Sequence, residues 1–155
     1  MRKDKNKNIY KRNSFYHIYN RGNHKEKIFF KEDDYKRFCS LMYKYLRKKN
    51  LMLISYCYMH NHFHLVLKCR SDLKAISKFM ACFMTAYVTY FNRKYNKVGH
   101  LFQGPFQVRR IRGLFDLRTV ISYIKHNPIE AGLVKEGEKY KWLFVRKNYE
   151  DLGQT

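Results

Sequence analysis

Acidic residues are scarce in this 155-residue chain: 12 Asp and Glu stand against 33 Lys and Arg, leaving a formal charge of +21. The imbalance argues against a basic partner and for a polyanion, because a small, strongly basic domain draws phosphates from a distance and strengthens non-specific contact with nucleic acid. Cysteine is sparse as well. Cys39, Cys57, Cys69 and Cys82 contain no C-x-x-C pair and all fall inside apolar patterns, which argues against a disulfide framework and predicts reduced core cysteines. No apolar run approaches the roughly 18 residues that a membrane span needs, and nothing resembles a signal peptide, so a cytoplasmic location is expected. Repeats and low-complexity tracts are also missing. With 45% hydrophobic residues, the chain has enough apolar material for one core and no room for two domains.

What is present divides into a basic N-terminal arm, residues 1–13, and a single domain over 14–155. The arm carries six basic residues and almost no apolar face; a solvated tail and a DNA-contacting segment are both open. Ser14 to Gly22 alternates aromatic or apolar with polar residues and predicts a first strand. Glu32, Asp33 and Asp34 then open a helix whose apolar residues Tyr35, Phe38, Leu41, Met42 and Tyr45 recur at three- and four-residue spacing. Leu51 to Met59 and His62 to Cys69 predict two strands joined by a short turn at His60-Asn61. Ser71 or Asp72 caps a long amphipathic helix ending near Asn96, with Ile76, Met80, Phe83, Tyr87 and Phe91 on its core stripe. Gly99 to Pro105 reads as a loop, Phe106 to Ile111 as a basic fourth strand, and Asp116 as the cap of a last helix. Pro128 marks where that helix ends or kinks, and Gly132 closes it. The expected class is α+β, a ferredoxin-like β-α-β-β-α-β antiparallel sheet followed by a C-terminal helix. Its helices cover one sheet face, and the other is left for a site.

His62-Phe63-His64 lies in one of these strands. Side chains alternate faces along a strand, so the two imidazoles point the same way, roughly 7 Å apart, while Phe63, Leu65 and Leu67 point into the core. Two imidazoles so placed can share a cation, although such a pair on its own is also compatible with purely structural histidines. In the last helix, Tyr123 and Asn127 stand four residues apart and stack on one face, off the stripe formed by Leu117, Ile121 and Ile124. The Asn127 amide oxygen suits a hard cation as a third ligand. Tyr123 reads equally as an ordinary half-buried tyrosine.

Four segments in order carry a resemblance that covers most of the chain: Tyr16-His17-Ile18-Tyr19-Asn20-Arg21-Gly22, Met59-His60-Asn61-His62-Phe63-His64-Leu65, Gly99-His100-Leu101-Phe102-Gln103-Gly104, and Tyr123-Ile124-Lys125-His126-Asn127-Pro128 with Ala131-Gly132-Leu133-Val134. Together they resemble the single-tyrosine HUH transposases, and within them the REP-associated tyrosine transposases. His60 stands where these proteins usually have proline. The resemblance implies Tyr123 as nucleophile, His62, His64 and Asn127 as ligands of Mg²⁺ or Mn²⁺, and cleavage and rejoining of single-stranded DNA beside a hairpin through a 5′-phosphotyrosine. A phenol, with an ordinary pKa of about 10, is a weak nucleophile at neutral pH unless the phosphorus is made more electrophilic, which is what a divalent cation does. Arg109, Arg110, Arg112, Arg21 and Lys125 are the candidate DNA contacts. Aromatics interleaved with basic residues suit stacked bases along a strand.

The alternative is a non-catalytic basic RNA- or DNA-binding module on the same fold, which would need no convergence of His62, His64, Tyr123 and Asn127; the RRM signature is missing. A zinc hydrolase would want H-E-x-x-H, also missing. A monomer and a homodimer are both compatible with the sequence. So are a Tyr123 that serves its own histidines and one that serves those of a second subunit.

Overall fold

The computed structural model describes residues 11–70 and 74–153. The N-terminal arm through residue 10 and the expected cap at Ser71 or Asp72 lie outside them. Eight main elements follow in order: β1 (Ser14–Arg21), α1 (Glu32–Leu46), β2 (Leu51–Tyr58), β3 (His62–Cys69), α2 (Ala75–Tyr95), β4 (Gln107–Ile111), α3 (Gly113–Glu130) and β5 (Leu143–Val145). The sheet runs β4-β1-β3-β2-β5, with every neighbouring pair antiparallel. Its first four strands have the ferredoxin-like order that the sequence predicts. Strand β5 was not expected.

Alternation on the central strand sorts the molecule into layers. Phe63, Leu65 and Leu67 of β3 join Tyr16 and Ile18 of β1 against Phe38, Leu41 and Met42 of α1 and Phe79, Phe83 and Tyr87 of α2. Phe38 is the aromatic hub, its ring within 5.1 Å of those of Phe29, Tyr58, Phe63, Phe83 and Tyr87. Val66 faces the other way. With Phe15, Ile54, Cys57 and Ile111 it packs on Leu117, Val120, Ile121 and Ile124 of α3. The second sheet face is therefore not wholly open: α3 covers part of it and leaves the His62 end accessible.

Asp34 ties the two helices of the first layer together. Its fully buried carboxylate accepts hydrogen bonds from the backbone N–H groups of Phe30 and Lys31 and from the side chains of Tyr90, Lys94 and Tyr95. Burial pushes its pKa up, but these donors outweigh that effect and hold it at about 2.

Some boundaries depart from the sequence reading. Helix α3 begins at Gly113, not at Asp116; the Asp116 carboxylate reaches back from the first turn to the Arg112 backbone N–H at 2.8 Å, so a capping residue sits inside the helix it caps. Pro128 also lies within α3. The helix ends two residues later, with Leu133 N–H bonded to the Pro128 carbonyl and Gly132 N–H to that of Ile129, a Schellman closure in which Gly132 takes a φ of 71°. Of the four cysteines, all free, Cys57 and Cys69 are buried and Cys39 is half-buried, but Cys82 is exposed. It falls on the outer side of α2, between the buried positions Met80 and Phe83.

Candidate active site

The face of the sheet that carries α3 also carries the histidines. In the β1–β3 register Tyr19 pairs with His64 and Arg21 with His62, so these four side chains stand on one face. The rings of His62 and His64 are 5.1 Å apart and perpendicular. His64 is buried, and its Nε2 has no hydrogen-bond partner. Such an atom costs free energy unless it meets a ligand. His62 keeps its Nδ1 2.7 Å from Asn61 Oδ1.

A residue outside the paired-histidine motif completes the cluster. His17 of β1, itself buried, places Nε2 3.0 Å from His64 Nδ1. Burial, reinforced by neighbouring Arg109, lowers the His17 pKa to about 4. Burial, then His17 and His62, lowers that of His64 to about 3. His62 is lowered by burial and by Arg21. All three imidazoles are thus neutral near pH 7, the form that offers a lone pair to a cation. His17 escaped sequence reasoning because strand neighbours are not written in the chain: it pairs with Val66 and meets His64 on the diagonal.

Tyr123 comes from α3, one position off the buried stripe, and is 51% exposed. That exposure leaves its phenol open to a substrate. Its ring stands edge-on to His64 at 5.6 Å and to His17 at 6.4 Å. Between them lies a cavity of about 440 Å³ lined by His17, Tyr19, His64, Arg109, Thr119, Val120 and Tyr123. Asn127, one turn on, donates its amide N–H to the Tyr123 carbonyl at 3.1 Å, which leaves its Oδ1 as the acceptor for any ligand. Among the described residues no group of three or more His, Cys, Asp or Glu side chains has the arrangement of a metal site. A cation here would rest on two imidazoles, an amide oxygen and water. The unpartnered Nε2 of His64 and this nitrogen–oxygen donor set fit such an ion.

The expected DNA contacts are not on one face. Arg109 pairs with His17, and Arg110 with Tyr16, so they point to opposite sides of the sheet. Arg109 is held by Asp116 in a two-pronged ion pair at 2.9 Å, on the rim of the cavity. Arg112 precedes α3 as its N-cap. Arg21 reaches Gln103 at 3.3 Å, and Lys125 is exposed on α3. The two alternative tyrosines on α2 are engaged elsewhere: Tyr87 is buried with its hydroxyl on the Ile28 carbonyl, and Tyr90 donates to Asp34.

Comparison with known proteins bears on this arrangement. No curated protein matches the sequence significantly. Among solved structures, a REP-associated tyrosine transposase bound to a REP hairpin superposes with a TM-score of 0.70 at 16% identity, covering 88% of this chain and 79% of that one. A candidate transposase from Deinococcus radiodurans R1 superposes at 0.52 and 14% identity, over 81% and 97% of the two chains. At these identities the likeness is one of fold. The family model described as "Transposase IS200 like" matches residues 10–127, a span that runs from the start of the described chain through β1, the histidine strand and the tyrosine helix as far as Asn127. The chain belongs to the IS200-like transposase family.

Proposed function

We propose that this transposase cuts and rejoins one DNA strand beside a hairpin, with Tyr123 as the nucleophile and His62, His64 and Asn127 as the residues that hold Mg²⁺ or Mn²⁺. The observation that carries the reading is the half-exposed Tyr123 ring edge-on to His64 at 5.6 Å, across a cavity that one nucleotide's phosphate could enter. The hairpin is suggested by the similar transposase solved bound to a REP hairpin.

In this reading the Tyr123 phenolic oxygen attacks the scissile phosphorus. The new bond is Tyr123 Oη to phosphorus, and the bond that breaks is phosphorus to the 3′ oxygen. The phenolic proton is lost and the departing oxygen gains one, leaving a free 3′-hydroxyl and a 5′-phosphotyrosine. Rejoining reverses the step with a different 3′-hydroxyl, so no nucleotide triphosphate is consumed. The chemistry that a divalent ion supplies when bound is polarisation of a non-bridging phosphate oxygen and neutralisation of charge at the transition state. His17 orients the site. With His64 Nε2 kept free of a proton, the Nδ1 proton of His64 is donated to His17 Nε2, and His17 carries its own proton on Nδ1. Arg109, fixed by Asp116, presents positive charge at the cavity rim, where the strand enters.

Incubation with labelled single-stranded hairpin DNA and Mg²⁺ should give a protein–DNA adduct that survives denaturation. Tyr123→Phe should abolish it while leaving binding intact. His62→Ala and His64→Ala should each remove metal-dependent cleavage, and Asn127→Ala should weaken it less, since water can replace an amide oxygen. An adduct from the Phe variant would assign the chemistry to another tyrosine. Full cleavage by a histidine variant in chelator would remove the cation from the reading.

A further inference from the structure

A second concentration of positive charge lies at the opposite end of the sheet. Strand β2 slips register between Leu53 and Ser55, and such a bulge takes backbone groups out of the ladder. The two carbonyls beside it are met by one residue: Arg146 donates Nε–H to the Leu53 carbonyl and its backbone N–H to that of Ile54, both at 2.8 Å. Its guanidinium is thereby held in one place, with the terminal nitrogens directed away from that bond. Around it opens a cavity of about 280 Å³, lined also by Arg47, Arg70, Tyr43 and Asn50 and, among the described residues, by no carboxylate. Among the described residues none of these arginines takes part in an ion pair.

Three guanidinium groups in one concavity, with no carboxylate among the described residues to offset them, make a local positive potential that attracts an anion. Guanidinium forks match phosphate oxygens in pairs, and Tyr43, 40% exposed, adds an aromatic face of the kind on which bases stack. We propose that Arg47, Arg70 and Arg146 form a phosphate site that grips the backbone of the DNA substrate away from the point of cleavage. Arg70 is six residues along the chain from His64, which at strand spacing puts the grip roughly 20 Å from the histidines. This assignment rests on the reading of the chain as a DNA-cutting enzyme, but its test requires no cleavage.

Arg47→Gln with Arg70→Gln leaves the anchored Arg146 and its two backbone bonds in place, so folding is preserved; an unchanged melting temperature checks this. The background is Tyr123→Phe without metal, so that binding alone is read by fluorescence anisotropy. A four-nucleotide oligomer reaches only one of the two sites, whereas a twenty-nucleotide strand spans both. The double variant should bind the long strand about tenfold more weakly and lose the advantage of the long strand over the short one, while Arg47→Lys with Arg70→Lys restores part of it. Undiminished affinity for the long strand would overturn the proposal. So would an equal proportional loss for both lengths, which is the signature of general charge. A third arm titrates inorganic phosphate: displacement of the long strand at equal concentration of phosphate groups would mean a small-anion site and would overturn the assignment to DNA.

Discussion

His17 illustrates how one buried side chain governs another. Its bond to His64 at 3.0 Å fixes both the ring orientation and the tautomer of the proposed ligand, and loss of such an outer partner commonly costs tenfold or more in metal affinity. His17→Ala should therefore weaken Mn²⁺ binding by about tenfold in calorimetry, with His17→Gln recovering part of the loss because its side-chain carbonyl still accepts the proton. Equal affinity in all three proteins would leave His17 a packing residue. Asp34 gives a residue-scale prediction of stability. Its folded pKa of about 2 lies below the ordinary carboxylate value near 4, so the unfolded chain binds the proton more readily between these values. The contribution of Asp34 is complete above about pH 4 and is lost as the pH falls toward about 2. Asp34→Ala should cost about 3 kcal/mol near neutrality by stranding the donors that converge on it. In acid titrations followed by circular dichroism, its stability should fall less steeply than that of the native protein below pH 4.

At the scale of elements, the C-terminal closure of α3 offers a clean test, because a Cβ on Gly132 would meet no atom within 4 Å. Gly132→Ala should cost about 1 kcal/mol through its positive φ alone, lowering the melting temperature by roughly 2–4 °C. An unchanged value would mean that the closure contributes nothing. The elements differ in how far they could be read from the chain. β3 and α2 were legible because alternation and a three-four apolar stripe are long enough to be unambiguous, and the ferredoxin-like order followed from them. β5 was not: three residues hold no period, and they are strand only because β2 offers its edge and Ser55 bonds to the Phe144 carbonyl. The start of α3 lies ahead of its sequence signal because Asp116 supplies the chemistry of a cap from within the first turn. Of the candidate site, the sequence showed the shared face of His62 and His64 and the off-stripe position of Tyr123. It could not show His17, whose contact depends on the order of strands across the sheet, whereas the opposite placement of Arg109 and Arg110 follows from strand alternation alone.

Across the whole molecule, a charge of +21 makes DNA affinity a function of salt, with log K changing by roughly −0.7 for each single-strand phosphate neutralised. Because Arg110 faces away from the cavity, Arg110→Ala should leave the salt slope for a short oligomer unchanged, whereas Arg109→Ala should flatten it by less than one phosphate's share, its charge being already half satisfied by Asp116. A fluorescence titration over a salt series measures both, and identical slopes for the two variants would detach the strand's path from the face that bears the histidines. The layering has another consequence. Helices α1 and α2 close over the larger apolar cluster, while the helix that carries Tyr123 rests on a smaller one and on the partly exposed pairs of Arg109 with Asp116 and Arg118 with Glu150. The least costly opening of the fold is then the lifting of that helix as a unit, with the other layer left intact. In deuterium-exchange mass spectrometry, amides of residues 113–130 should exchange through this partial opening, faster than those of α1 and α2, which should wait for global unfolding. The proposed nucleophile would thus ride on the most detachable helix of the molecule.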